Sequence, residues 1–424
     1  MQKLISIVGV ITLAALLGCS NDSRETISDA ADTVTSVAAD VSENVATTET
    51  VKEVAAADSS GSAELKPEQI GIVETLPEQY PAEWILVQDS AFFHMLDGRL
   101  LVVDASSDDS ARRYKGMFNS SIIGQFAQAT TRPEMYSVDT YLSRGTRGDR
   151  TDVFTIYDKR TLAPTAEVIL PPKRSSSMPT VYNLQLVDNE KLALIYNFTP
   201  AASVSIVDLD SRTFIGEVPI PGCALSYPMV GRGFSTVCGD GTMLTVNIGA
   251  NADDIESSRT DSFFDYENDP LMEKAVQIGS MTYFPTFKGN IQPVDMSGDI
   301  AVPGEAWSLL GAGDEGWLPG GLQSTGVDDA GRMYLLMHPE GYDGSHKDPG
   351  VEVWVYDVEN QERVDRIKLE LPAISLGITR GDNPLMVTTN INLTIDVYNA
   401  NSGEFLRNIA DIGAQTPFML HGAR

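Results

Sequence analysis

His338 and His346 stand eight residues apart around Tyr342-Asp343-Gly344-Ser345. Two imidazoles so placed could share a metal ion, but the residues between them are those of a hairpin loop, and loop chemistry is the plainer reading. Asp261, Asp265, Glu267 and Asp269 could together hold calcium. They lack the ordered spacing of a calcium loop, so a solvated loop is expected there. Gly311-Ala312-Gly313-Asp314-Glu315-Gly316 matches the Gly-x-Gly-x-x-Gly pattern of dinucleotide binding. It runs straight into Trp317-Leu318-Pro319-Gly320-Gly321, which cannot open a helix, so a loop is expected rather than a phosphate site. The chain has no Gly-x-Ser-x-Gly elbow, no Walker loop, no His-Glu-x-x-His and no Cys-x-x-Cys.

The three cysteines divide by position. Lys3 precedes an apolar run from Leu4 to Leu17 that is too short for a comfortable transmembrane helix, and the run ends in Leu16-Leu17-Gly18-Cys19. This is the form of a bacterial lipoprotein signal over residues 1–19, and cleavage would leave Cys19 to carry the lipid. Ser20, rather than an aspartate, follows the cysteine, which points to the outer membrane in a Gram-negative host. Cys223 and Cys238 lie 15 residues apart. In an oxidising periplasm they are expected to pair, closing a loop worth roughly 3 kcal/mol; two buried thiols are the alternative.

Lys and Arg number 30 against 59 Asp and Glu, a net charge of −29. That field repels phosphate backbones and excludes nucleic-acid binding. Residues 20–65 are built from Ala, Ser, Thr, Val, Asp and Glu without an aromatic, so they cannot offset their ordering entropy and form an acidic tether. The remainder, 66–424, is the folded body.

Its elements read as strands. Val153-Phe154-Thr155-Ile156-Tyr157, Ser203-Val204-Ser205-Ile206-Val207, Val351 to Tyr356 and Leu393 to Tyr398 alternate with period two and are bounded by turn residues. Each ends in an acid or Asn followed by a polar turn: Asp158, Asp208, Asp357 and Asn399. Such side chains bond their own backbone two residues on and make tight turns. Looser copies stand at Asp104, Asn247 and Asp295. The seven markers are spaced by 54, 50, 39, 48, 62 and 42 residues. That repeat predicts an all-β, seven-bladed β-propeller with four antiparallel strands to a blade, because radial closure hides the sheet edges.

From about residue 112 onward the chain resembles the large subunit of the periplasmic quinoprotein amine dehydrogenases, the methylamine and aromatic amine types. The residues that carry the resemblance are Arg147-Gly148-Asp149-Arg150-Thr151-Asp152, Phe198-Thr199-Pro200-Ala201, the spacing of Cys223 and Cys238, Gly316 to Gln323, Arg332 to Leu336 and Gly403 to Arg407. The resemblance implies a partner: a small, disulfide-rich subunit carrying tryptophan tryptophylquinone, usually in a two-plus-two heterotetramer. There a primary amine is oxidised to aldehyde and ammonia, and electrons leave to a small copper protein or a cytochrome. No catalytic residue is then expected in this chain. The family's channel-lining Phe corresponds to Ile122, with Phe118 four positions earlier, and the second Trp of its Trp-x-Pro-Gly-Gly-Trp run is Leu322. A lipid-anchored propeller that binds a protein or small ligand without quinone chemistry is the alternative.

Overall fold

The computed structural model describes residues 75–90, 97–122, 124–174, 179–250, 254–413 and 416–424, which belong to one compact unit. The signal segment with Cys19 and the 20–65 tether lie outside the described residues. Helix, among the described residues, is confined to the turn Ser110–Arg113 and two 3-10 turns, Val181–Asn183 and Ser345–Lys347. The rest of the regular structure is β.

Turn chemistry builds the hairpins. Each marker residue stands at or next to the end of a strand, and the following strand pairs back antiparallel. Gly98–Asp104 pairs with Tyr114–Ser120, Arg150–Asp158 with Pro164–Leu170, Ser203–Asp208 with Thr213–Pro219, and Met243–Ile248 with Ile255–Arg259. Asn290–Asp295 pairs with Val302–Pro303, Gly350–Asp357 with the start of Glu362–Ile378, and Ile395–Asn399 with Phe405–Ile409. Asp158 accepts from the Arg160 and Thr161 N–H groups at 2.9 and 2.8 Å, Asp208 from Ser211 at 2.7 Å, and Asn399 from Asn401 and Ser402 at 2.9 Å. Asn247 differs: its side chain donates to the Asp299 carbonyl at 2.7 Å and tethers a neighbouring loop. In four hairpins the residue four places past the marker is left-handed: Leu162 (φ 57), Arg212 (φ 56), Gln361 (φ 56) and Gly403 (φ 72).

The strands form six sheets: four of four strands, one of five and one of eight. The first joins distant parts of the chain, because Thr416–Gly422 pairs with Trp84–Ser90, Leu86 opposite His421. The largest runs through the 17-residue strand Glu362–Ile378, which pairs with Gly350–Asp357 along its first part and with Leu385–Asn390 along its second.

Successive side chains of a central strand pack to opposite sides. Trp84 and Leu86 join Phe118, Phe126 and Met135, whereas Ile85 and Val87 join Val387, Ile395 and Val397. Phe154 and Ile156 meet Ile195 and Val207. Each sheet is thus sandwiched between its neighbours, and with closure the arrangement is a β-propeller. Burial on both faces explains why Trp84–Ser90 is buried at every residue, not at every second one. Each fully buried Leu, Ile or Val contributes about 1.5–3 kcal/mol.

Candidate functional site

Inner strands of a propeller run the same way along its axis. Their first residues gather on one face, called upper here, and their last residues gather with the marker turns on the lower face. Gln125–Gln128, Leu184–Val187, Cys223–Pro228, Val276–Ile278, Thr325–Val327, the end of Glu362–Ile378 and Thr416–Gly422 are the inner strands, around an axial cavity of about 850 Å³.

Glutamines cover the unpaired inner edges. Gln128 donates to the Gly422 carbonyl and accepts from the Arg424 N–H, both at 2.8 Å. Gln323 clasps the Leu420 backbone in the same way at 2.7 and 2.8 Å. Gln277 donates to the Pro228 carbonyl at 3.2 Å. Phe126, Leu186, Met229, Ile278, Ile378 and Met419 make the waist of the cavity apolar. Lys274 at the upper mouth donates to the Gly321 carbonyl at 2.8 Å, and burial lowers its ammonium pKa. Near the lower mouth the His421 ring lies 5.4 Å from that of Phe126. Burial, helped by Arg424, pushes this imidazole down to about 4.

On the upper face, Cys223 and Cys238 oppose each other on adjacent strands and form a disulfide with Cα atoms 3.9 Å apart. It fixes the start of an inner strand. The run Gly316 to Gln323 ends a long loop and adds the short strand Leu318–Pro319 to the edge of the eight-stranded sheet, against Met337 and His338. A Cβ on Gly320 would lie 2.4 Å from the Asp348 carbonyl oxygen, and Gly321 has φ 109, so neither position admits a side chain. Trp317 packs against Trp354 with ring centres 5.3 Å apart, and the Arg366 guanidinium lies 4.8 and 4.7 Å from the two rings. Asp314 holds the Gly311 N–H at 2.8 Å, Arg363 at 2.7 Å and Arg366 at 3.2 Å. The glycine pattern of residues 311–316 is therefore a loop pinned by rings and guanidinium groups.

Ile122 lies on the upper face in a turn closed by the Gly124 N–H on the Ser121 carbonyl at 3.0 Å. A buried ionic network holds that turn. Asp139 accepts from the Ser121 N–H at 2.6 Å and from the Ser137 hydroxyl at 2.8 Å, and Arg174 donates to the Ser121 hydroxyl at 3.1 Å. Asp152 accepts from Arg150 Nε at 2.8 Å and from the Arg174 N–H at 3.1 Å. Burial raises the Asp139 carboxyl pKa and pushes Arg174 down to about 10, each opposed by the charge of the other. Phe118 is buried beneath, stacked on Tyr157 with ring centres 3.9 Å apart. Neither Ile122 nor Phe118 borders the axial cavity. Asp139 and Arg174 escape a sequence reading because a lone acid in a strand and a lone arginine in a loop give no sign of meeting.

The other sequence candidates build loops. Asp265 accepts from the Glu267 and Asn268 N–H groups at 3.2 and 3.0 Å, and Asp269 from Lys288 at 2.7 Å. His346 stacks on Phe287 with ring centres 4.0 Å apart, while His338 ends the strand Arg332–His338. No group of three or more His, Cys, Asp or Glu is placed to hold a metal ion among the described residues.

The family model of the methylamine dehydrogenase heavy chain matches residues 81–421. The chain belongs to that family. It is 28% identical over 342 residues to the methylamine dehydrogenase heavy chain of Paracoccus versutus, covering 78% of each chain. To the heavy chain of Methylorubrum extorquens it is 26% identical over 333 residues, covering 76% of this chain and 77% of that one. A solved chain from Bacteroides uniformis, assigned provisionally as a 6-phosphogluconolactonase, superposes with a TM-score of 0.55 at 10% identity over 80% of this chain and 98% of its own. That last likeness concerns the fold alone. The heavy-chain match takes in the disulfide, the Ile122 turn and the pinned loop.

Proposed function

We propose that this chain is the large subunit of a periplasmic amine dehydrogenase whose tryptophan tryptophylquinone sits on a separate small subunit. The heavy-chain match over residues 81–421 carries the reading. The quinone supplies the oxidation of a primary amine to aldehyde and ammonia. This chain docks the quinone-bearing subunit on its upper face and walls the path to it. Phe198 and Tyr342, 62% and 60% exposed, support that face, with Val181 and Ile391 in neighbouring loops. Ile122 then borders the amine channel on its clamped turn, and Phe118 supports it from below. The tryptophans of this chain are taken up in packing: Trp84 on Tyr80, Trp307 on Tyr356, and Trp317 on Trp354. This favours a partner as the source of the quinone's two.

The assembly is a two-plus-two heterotetramer that passes electrons to a small copper protein or a cytochrome. Lipid on Cys19 anchors it to the outer membrane through the 20–65 tether. The eight-stranded sheet is read as two blades sharing Glu362–Ile378, which gives seven blades of about four strands. The register break between Ala373 and Ser375 and the spacing of the marker hairpins support that count.

Affinity purification of the full chain from its native host tests the proposal. A small, cysteine-rich chain with visible quinone absorbance should come with it, and dye-linked amine oxidation should need both chains. A chain that purifies alone, or with a partner lacking quinone absorbance, overturns the reading in favour of a binding propeller.

A further inference from the structure

The lower mouth of the axial cavity collects cations that the proposed function leaves unused. The acids around it are already committed. Glu190 accepts from the Thr130 and Thr131 N–H groups at 2.6 and 2.8 Å, and from their hydroxyls. Asp329 accepts from the Gly381 N–H at 2.8 Å and lies 3.8 Å from Arg380. Asp328 holds Arg332 at 2.7 Å and the Tyr334 hydroxyl at 3.0 Å. Arg424 forms no ion pair among the described residues; Arg380 repels it, and the Asp329 and Glu190 carboxylates attract it from farther off than an ion pair. Lys159, buried beside them, donates to the Ala129 carbonyl and to the backbone oxygen of Arg424. His421 Nε2 is buried and has no hydrogen-bond partner. Glu190, Asp328 and Asp329 line this mouth together with Arg380 and Arg424, and of the two lining arginines Arg424 is the one that makes no ion pair among the described residues. Immediately inside lies the apolar waist of Phe126, Ile278 and Met419.

We propose that the axial cavity binds a small organic carboxylate with an apolar tail, its head on Arg424 and His421 at the lower mouth and its tail along Phe126, Ile278 and Met419. A cavity of about 850 Å³ is within the range that takes small molecules, about 300–1,000 Å³. A guanidinium makes strong charge-assisted bonds to a carboxylate. The buried imidazole is neutral at neutral pH and can donate its Nε2–H without adding a second charge. The site opens opposite the proposed docking face. It stands independently of the subunit reading, and Arg424 lies beyond the family match to residue 421.

Titration calorimetry of the full chain with octanoate, and with inorganic phosphate as the control anion, tests the site. Octanoate should saturate one site, and phosphate at equal concentration should not displace it. Arg424→Gln, an exposed position that leaves the core intact, should weaken octanoate about 10- to 100-fold. Ile278→Trp, which fills part of the waist from a partly exposed wall position, should weaken octanoate as well. Absence of saturable octanoate binding, wild-type affinity in either variant, or displacement by phosphate would each overturn the proposal.

Discussion

The left-handed residue four places past a marker lets the hairpin close, yet only Gly403 of the four is a glycine. An L side chain in that conformation costs about 1–2 kcal/mol, and the extra chain freedom of glycine takes back about 0.5–1 kcal/mol. Gln361 is exposed, so Gln361→Gly should stabilise the chain by about 0.5–1 kcal/mol in chemical denaturation; an unmoved midpoint would count against this account. The markers are legible in the sequence because an acid or Asn after a β-branched run is a local signal. The strained position is not legible, since Leu, Arg and Gln carry no mark of a turn. His421 gives a second prediction at this scale. Its pKa falls from 6.5 to about 4 on folding, so between those values the unfolded chain binds more protons and acidification destabilises the fold. At about 1.4 kcal/mol per pH unit the effect is capped at about 3 kcal/mol. His421→Gln should flatten the stability profile between pH 6.5 and 4, and a wild-type slope in the variant would refute the assignment. Ile122→Phe gives the third. A ring and a branched aliphatic chain leave different channel cross-sections, so relative rates for small and aromatic amines should shift by about 1–3 kcal/mol in the assembled enzyme. An unchanged amine profile would remove Ile122 from the channel.

Among the elements, the disulfide joins the upper ends of two strands and the pinned loop ties Asp314 and Trp317 to Trp354, Arg363 and Arg366, but they differ in how openly the sequence declares them. Two cysteines 15 residues apart suggest a bond, and the pairing of Cys223 with Cys238 across adjacent strands realises it. Cys223→Ser should lower stability by roughly 2–5 kcal/mol while leaving the amine profile of the assembled enzyme alone. Denaturation curves with steady-state rates for several amines check both halves. A changed profile would mean that this strand end shapes the channel as well. The pinned loop is only half legible. Gly320 and Gly321 announce a tight passage, but Asp314, Arg363 and Arg366 are 49 or more residues apart in pairing and read separately as loop and strand charges. Gln128, Gln277 and Gln323 are equally silent, because a polar residue in a strand looks solvent-facing until the ring closes and turns it towards an unpaired edge.

At the scale of the whole molecule, closure gives the propeller two unlike faces, and the choice between them can be tested. The upper face carries the disulfide, the pinned loop, the clamped Ile122 turn and the exposed side chains Val181, Phe198, Tyr342 and Ile391. The lower face carries the marker turns and the charged cavity mouth, with Tyr114, Val230, Ile300, Val302 and Phe405 among its exposed apolar residues. A large aromatic ring left in water contributes little to the fold but can anchor a partner, where its truncation typically costs 2 kcal/mol or more. Phe198→Glu and Tyr342→Glu should therefore prevent co-elution with the small subunit while leaving the melting temperature within about 2 °C. Val230→Glu, equally exposed on the other face, should leave the assembly whole. Size-exclusion chromatography of the co-expressed subunits, paired with melting curves of the isolated large subunit, separates lost docking from lost folding. Assembly that survives the upper-face changes and fails with Val230→Glu would place the partner on the lower face and detach Ile122 from the amine path.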